Sequence, residues 1–290
     1  MRPISFIFVV LFFSFLSDSR AASDPSAIVC IEKFIEANRK LPDYEAVLLK
    51  KEWDIQGREL HDEKIEVTVS RSKNRVQMKY MNSGATGIRN NGMKVEYSGS
   101  EKLKIKLGST NVLGFFANSA ASALIGDSMS IFDARALEGE VFTINRTGFD
   151  FLAWILSKSL ESVKSSSEGG FSLGAPGTCK VKYIPHLSGK TQVTLQPSDS
   201  IFELEHQLGT LAYIIFQENR DQFDSLRDVF VRKKPVKISV PKSFYEVHFE
   251  FNATTSLLDH FQIFQEGHVI GDYYFSSVKA LESPNSSETH

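Results

Sequence analysis

From Tyr44 to Leu107 the apolar side chains of this chain recur at every second position, and no other feature narrows its fold as much. Val47, Leu49 and Trp53 mark a first segment. Ile65, Val67 and Val69 mark a second, then Val76, Met78 and Tyr80, then Met93, Val95 and Tyr97, then Leu103, Ile105 and Leu107. Successive side chains of a strand point to opposite faces, so this period predicts strands with one dry face and one wet face. Lys94, Glu96, Lys104 and Lys106 fill the alternate positions. Gly57, Ser83-Gly84, Asn90-Asn91-Gly92 and Ser98-Gly99-Ser100 supply the turns. The expectation is an antiparallel meander.

Helical spacing flanks the meander. Asp24-Pro25 reads as an N-cap with proline at the first helical position, and Ala27, Ile28, Ile31, Phe34 and Ile35 carry one apolar stripe to about Asn38. Thr147-Gly148-Phe149-Asp150 opens a second helix striped by Phe151, Leu152, Ile155, Leu156, Leu160 and Val163. Cys179, Val181, Tyr183 and Thr191, Val193, Leu195 read as a hairpin around Ser188-Gly189. Helical spacing returns at Ile201, Leu204, Leu208, Leu211 and Ile215, although Gly209 and the β-prone run from Tyr213 to Phe216 oppose it. Three short strands close the chain, at Tyr245 to Phe251, His260 to Phe264 and Tyr273 to Phe275. No proline-rich or charge-block linker divides residues 22–282, so one domain is expected, with 283–290 as a disordered tail.

Residues 1–21 have the form of a cleaved secretory leader: Arg2, an apolar run from Ile4 to Leu16 too short to span a bilayer, and small residues Ser19 and Ala21 before the cut. Five of the 23 Phe fall in it. Export to the periplasm is expected, with secretion as the alternative. Such a compartment permits disulfides, and Cys30 and Cys179 are the only cysteines. Bridged, they would close a very long loop and add ~4 to 5 kcal/mol in the chain-entropy model. Unbridged, they would be two buried thiols acting as small hydrophobes.

Composition and motifs exclude several classes. A formal net charge of -2 lacks the basic excess on which nucleic-acid affinity depends. The seven His show no metal-ligand spacing, and no glycine-rich phosphate loop is present. Gly170-Phe171-Ser172-Leu173-Gly174 matches the nucleophile-elbow pattern, but a predicted helix precedes it and Ala175-Pro176-Gly177 follows, the reverse of the strand-to-helix context the elbow needs. Neither a catalytic residue, a cofactor nor a metal is expected. Asn145, Asn252 and Asn285 open glycosylation sequons that matter only in a eukaryotic secretory route.

Tyr44 with Lys51-Glu52-Trp53-Asp54-Ile55-Gln56-Gly57, Val76 to Tyr80, Phe142-Thr143-Ile144 leading to Thr147-Gly148-Phe149, Thr178-Cys179, and the stretch from Phe261 to Leu281 together carry a resemblance. The chain resembles an exported bacterial family of unknown function related to the periplasmic lipoprotein-localisation carriers, with their LolA/LolB-like fold. The resemblance implies an α+β fold: a curved antiparallel sheet forming an incomplete β-barrel, covered by about three helices, its concave face holding acyl chains. It brings no catalytic residue. The segment from Pro197 to Pro241 is longer than the resemblance predicts.

Trp53, Val67, Met78, Tyr80, Val95 and Ile105, with Phe151 and Ile155 on a covering helix, are the candidate ligand-lining residues. Val112, Leu113, Phe115 and Phe116 form an apolar loop that could serve as a lid or dip into a membrane surface. The leading expectation is a monomeric, non-enzymatic carrier of lipid or lipidated protein. The alternative is an envelope protein–protein interaction module with a solid core and no lipid.

Overall fold

The computed structural model describes residues 23–54, 56–83, 92–99, 102–106, 128–133, 137, 147–166, 170–175, 177–184, 190–201, 211–241 and 246–281. The leader, the loop residues Val112, Leu113, Phe115 and Phe116, and the tail 283–290 lie outside them. In chain order the elements are α1 (Pro25–Lys40), β1 (Tyr44–Trp53), β2 (Glu59–Ser70), β3 (Arg75–Ser83), β4 (Lys94–Tyr97), β5 (Lys102–Lys106) and β6 (Ser128–Ser130). Then come α2 (Phe149–Ser166), β7 (Gly170–Leu173), β8 (Lys180–Ile184), β9 (Lys190–Leu195), α3 (Ala212–Glu218) and α4 (Leu226–Phe230). β10 (Val236–Pro241), β11 (Glu246–Phe251), β12 (Leu258–Gln265) and β13 (His268–Ala280) complete the chain.

Eleven strands form one antiparallel sheet in the order β6-β5-β4-β3-β2-β1-β13-β12-β11-β8-β7. The meander therefore extends sideways through the last strand of the chain. Among the described residues β6 and β7 are the edges, and the curved sheet is not closed into a barrel. Register shifts punctuate it at Glu45/Val47, Glu52/Trp53, Lys64/Ile65, Glu250/Phe251 and Ile263/Phe264. Each inserts an extra residue that bends its strand and steepens the local twist.

Two helices cover one part of the dry face. Asp24 caps α1 by accepting from the Ser26 amide at 2.8 Å, and α1 buries Ala27, Cys30, Ile31 and Phe34 against α2, β7 and β8. Phe34 lies between Phe149 of α2 and Phe251 of β11, with ring centroids 6.2 and 5.3 Å away. Phe149 stacks on Tyr44 at 5.2 Å and meets Phe275 at 4.8 Å. The Cys30–Cys179 disulfide fastens α1 to the start of β8, with Cα atoms 5.6 Å apart.

At the other end of these helices Arg71, from the β2–β3 turn, donates to the Asn38 side chain (2.6 Å), the Asn38 carbonyl (2.7 Å), the Leu41 carbonyl and Asp150 (3.0 Å). The end of α1 is thus tied to the start of α2. The Phe149 amide donates to Tyr44 Oη at 2.9 Å. Gly148, at φ +113, makes this approach possible, because a Cβ there would meet Tyr44 Oη at 2.8 Å.

Two sequence expectations are corrected, the face of β1 and the pairing of β8 with β9, and the helical spacing read through Ile215 is found over Ala212–Glu218. β1 buries Tyr44, Ala46, Leu48, Lys50 and Glu52, whereas Val47, Leu49 and Trp53 alternate on the opposite face, with Leu49 42% exposed. β8 and β9 do not form a hairpin. β8 is flanked by β7 and β11, and β9 pairs with β10 in a separate two-stranded sheet. The apolar run from Tyr213 to Phe216 is helical, with the Ile215 amide donating to the Leu211 carbonyl. Local β-propensity yields there to burial of one helix face.

The described residues 190–201 and 211–241 build a cap around the β9–β10 pair. Asn219 joins α3 to β10 by exchanging hydrogen bonds with the Ser239 backbone at 2.8 Å. Buried Arg232 donates to the carbonyls of Gln196, Asp199 and Val229. The cap meets the end of the meander where Phe230 stacks on Phe132, 5.1 Å between centroids.

Candidate functional site

The dry face of β1 and β2 changes chemistry half-way along. Tyr44–Val69, Ala46–Val67 and Leu48–Ile65 face each other across the two strands, and the next two facing pairs on the same side are Lys50–Glu63 and Glu52–His61. All ten residues are at most 6% exposed.

The apolar part runs on across the meander. Ala46, Val67, Met78, Val95 and Ile105 are register partners in turn, one from each of β1 to β5. At about 4.8 Å per strand the row spans ~19 Å. A parallel row joins Phe275, Leu48, Ile65 and Tyr80. The reverse face is charged, with Lys79 on Glu66 at 2.9 Å and Arg75 on Glu96.

Five of the candidate lining residues, Val67, Met78, Tyr80, Val95 and Ile105, therefore share one buried surface. Trp53 does not join them; it alternates with buried Glu52 and falls on the other side. Phe151 and Ile155 sit half-buried on the flank of α2, whose buried stripe is Phe149, Leu152, Ala153, Leu156 and Leu160. Next to them Trp154 is 44% exposed and stacks on Phe151.

The ionic part escaped the sequence reading altogether. Lys50 Nζ lies 3.2 Å from Glu52 Oε2 and 3.4 Å from Glu63 Oε2, and His61 Nδ1 lies 3.9 Å from Glu63 Oε1. Tyr273 of β13 donates its hydroxyl to Glu52 Oε1. Its ring reaches there by lying across Gly271, where a Cβ would come within 2.6 Å of it. Just beyond β1, buried Asp54 accepts from the amides of Gln56 (3.0 Å) and Arg58 (2.8 Å) and pairs with the Arg58 guanidinium at 3.1 Å. Tyr213 of α3 is 3% exposed, and its phenol is pushed above the ordinary tyrosine range, first by burial and then by the charges of Asp54 and Glu52. Extending the period of Ile65, Val67 and Val69 two steps back would have placed Glu63 and His61 indoors. That was the available signal.

Ser172 stands exposed on the edge strand β7 opposite Lys182, and a turn rather than a helix follows. The elbow geometry is absent there. Among the described residues no group of three or more His, Cys, Asp or Glu is placed to hold a metal ion, and no helix is long and apolar enough to cross a membrane. An open groove of ≈ 800 Å³ runs along the outer flank of α1, between Val29, Glu36 and Lys40 on one side and Leu257, Val278 and Ala280 on the other.

No family model and no curated protein matches the chain. Solved structures do. Mycobacterium tuberculosis lipoprotein LppX is 10% identical at a TM-score of 0.36, over 90% of this chain and 99% of that one. In the MucA/MucB complex of Pseudomonas aeruginosa the values are 8% and 0.38, over 90% of this chain and 59% of that one. A LolA superfamily protein from Nitrosomonas europaea is 10% identical at 0.34, over 91% and 97%. At such identities and scores these neighbours carry no argument about ligand or activity.

Proposed function

We propose that this protein is an exported, non-enzymatic carrier that holds a lipid, or the acyl chain of a lipidated protein, against the dry face of β1 to β5. One observation carries the reading: the five-strand apolar row from Ala46 to Ile105, backed by Tyr80 and Leu48. Its width of ~19 Å suits an extended alkyl chain, and a surface with few polar atoms binds by burial rather than by hydrogen bonds. Val67, Met78, Tyr80, Val95 and Ile105 are the lining residues under this proposal, with Phe151 and Ile155 on the covering flank.

The test is native purification followed by solvent extraction and mass spectrometry. Stoichiometric lipid is expected, and Met78→Lys or Val95→Lys should purify without it. A ligand-free protein whose Tm ignores added fatty acids would remove the carrier reading. A lipid-free envelope interaction module would then be favoured, with the groove beside α1 as the surface to probe.

A further inference from the structure

The wet face of the sheet changes character from one end to the other. On β8 and β1 its lysines meet carboxylates: Lys180 lies 2.8 Å from Glu250, Lys182 3.3 Å from Glu246 and Lys51 3.0 Å from Asp62. On β3 to β5 lysine meets lysine. Lys79 and Lys94 are register partners, and so are Lys94 and Lys106, on the side of the sheet away from Met78, Val95 and Ile105. Lys102, Lys104 and Lys106 alternate along β5 and are all exposed, as is Lys94. The nearby carboxylates are already engaged, Glu66 by Lys79 at 2.9 Å and Glu96 by Arg75. Lys94, Lys104 and Lys106 make no ion pair among the described residues. We propose that this face docks on an anionic lipid bilayer. The inference goes beyond the carrier reading and does not depend on it, because the lysines lie on the opposite side of the sheet from the apolar row.

Two observations carry it. The first is the cost of the row itself. Like charges directly opposite each other on neighbouring strands are destabilising, so folding does not account for Lys79, Lys94 and Lys106 side by side. Guarding a sheet edge does not account for them either, since β6 is the edge strand and β3 to β5 lie inside it. Anions supplied from outside would offset the repulsion. The second is the chemistry of the face. Positive charge is concentrated here in a chain whose formal net charge is -2. Protein interfaces are depleted in lysine and are held by buried aromatic or arginine anchors. Among the described residues the wet face of β3 to β5 presents no aromatic side chain, and its Arg75 is taken by Glu96. A fluid anionic surface needs no shaped complement, because its potential attracts each nearby lysine separately.

The test is cosedimentation of the full chain, without its leader, with vesicles of phosphatidylcholine alone or mixed with phosphatidylglycerol. Binding is expected only to the mixed vesicles, and added NaCl should release it. Lys94→Gln with Lys106→Gln should weaken binding about thirtyfold, while Tm stays level or rises as the repulsion is relieved. Lys180→Gln with Lys182→Gln makes the same change in net charge at the other end of the face and should leave binding unchanged. Equal loss in the two double variants overturns the docking face, as does equal binding to both kinds of vesicle. Binding to soluble polyglutamate but not to the mixed vesicles also overturns it, in favour of an acidic protein partner.

Discussion

Two stretches of the same face of β1 and β2, separated by one register step, are built from opposite materials. From Tyr44 to Leu48 the strand buries hydrocarbon against Val69, Val67 and Ile65. From Lys50 to Glu52 it buries charge against Glu63 and His61. Both are shielded to the same degree, so burial alone does not tell them apart. Their energetics do. Burying the apolar stretch stabilises in proportion to area, by about 1.5–3 kcal/mol for each large side chain. The ionic stretch has to recover the desolvation of at least three charges from close pairing, and replacing such groups by hydrocarbon is often neutral or favourable. A buried ionic stretch that adds little to stability, continuing one that adds much, marks where this face departs from the composition of an ordinary core.

The largest expected effects test that distinction directly. Lys50→Met removes the cation between two buried carboxylates and should cost about 3–5 kcal/mol in urea denaturation. Leu48→Ala, two residues earlier, should cost a similar ~2–5 kcal/mol by leaving a cavity. The two regions separate when the whole cluster is replaced. Lys50→Met with Glu52→Leu and Glu63→Leu should restore stability to the native level or above it, whereas no combination of truncations along the apolar row should do so. If the triple variant were as unstable as Lys50→Met alone, the ionic stretch would be structural and the contrast would collapse.

Next in size come the devices that hold the helices over the apolar side. Reducing Cys30–Cys179, or replacing both by Ser, should cost about 2–5 kcal/mol and loosen α1 from β8, read as faster amide exchange in α1. Arg71→Ala takes one donor each from the Asn38 and Leu41 carbonyls and Asp150, at about 1–3 kcal/mol, and should speed exchange at the α1–α2 junction more than in the cap of β9, β10, α3 and α4.

What could be read from the sequence divides along the same line. Ile65, Val67 and Val69 revealed the inner face of β2 because only one phase of that strand is apolar. β1 is apolar in both phases, with Ala46 and Leu48 in one and Val47 and Leu49 in the other, so its own pattern could not choose. The choice came from pairing with β13, whose Phe275 and Tyr273 stand opposite Leu48 and Lys50. Lys50, Glu52 and Glu63 read as wet-face residues because periodicity equates charge with solvent. Both long helices were legible, since caps and spacing are local signals, whereas the Cys30–Cys179 bridge was one of two open readings, because its ends lie far apart in the chain. The partners of β8 and β9 were not, because pairing between distant strands leaves no local mark.

The smallest effect belongs to the rim of the apolar side, where the chain enters β1. Asp43 accepts the Ser70 hydroxyl at 2.6 Å and the Arg71 amide at 2.8 Å, and these hydrogen bonds, the Ser70 one foremost, hold its carboxyl below the ordinary aspartate range. A carboxyl whose pKa is lower folded than unfolded binds its proton more readily in the unfolded chain. Its contribution is therefore complete above the unfolded value of about 3.9 and is lost as pH falls through the depressed folded value. Tm should accordingly decline on acidification below about pH 4, and Asp43→Asn should lower Tm at neutral pH while flattening that decline. Because Asp43 is only half-buried at the surface, the change should be far smaller than that from Lys50→Met. An Asp43→Asn profile parallel to the native one below pH 4 would show that the Ser70 and Arg71 contacts do not favour the charged carboxyl.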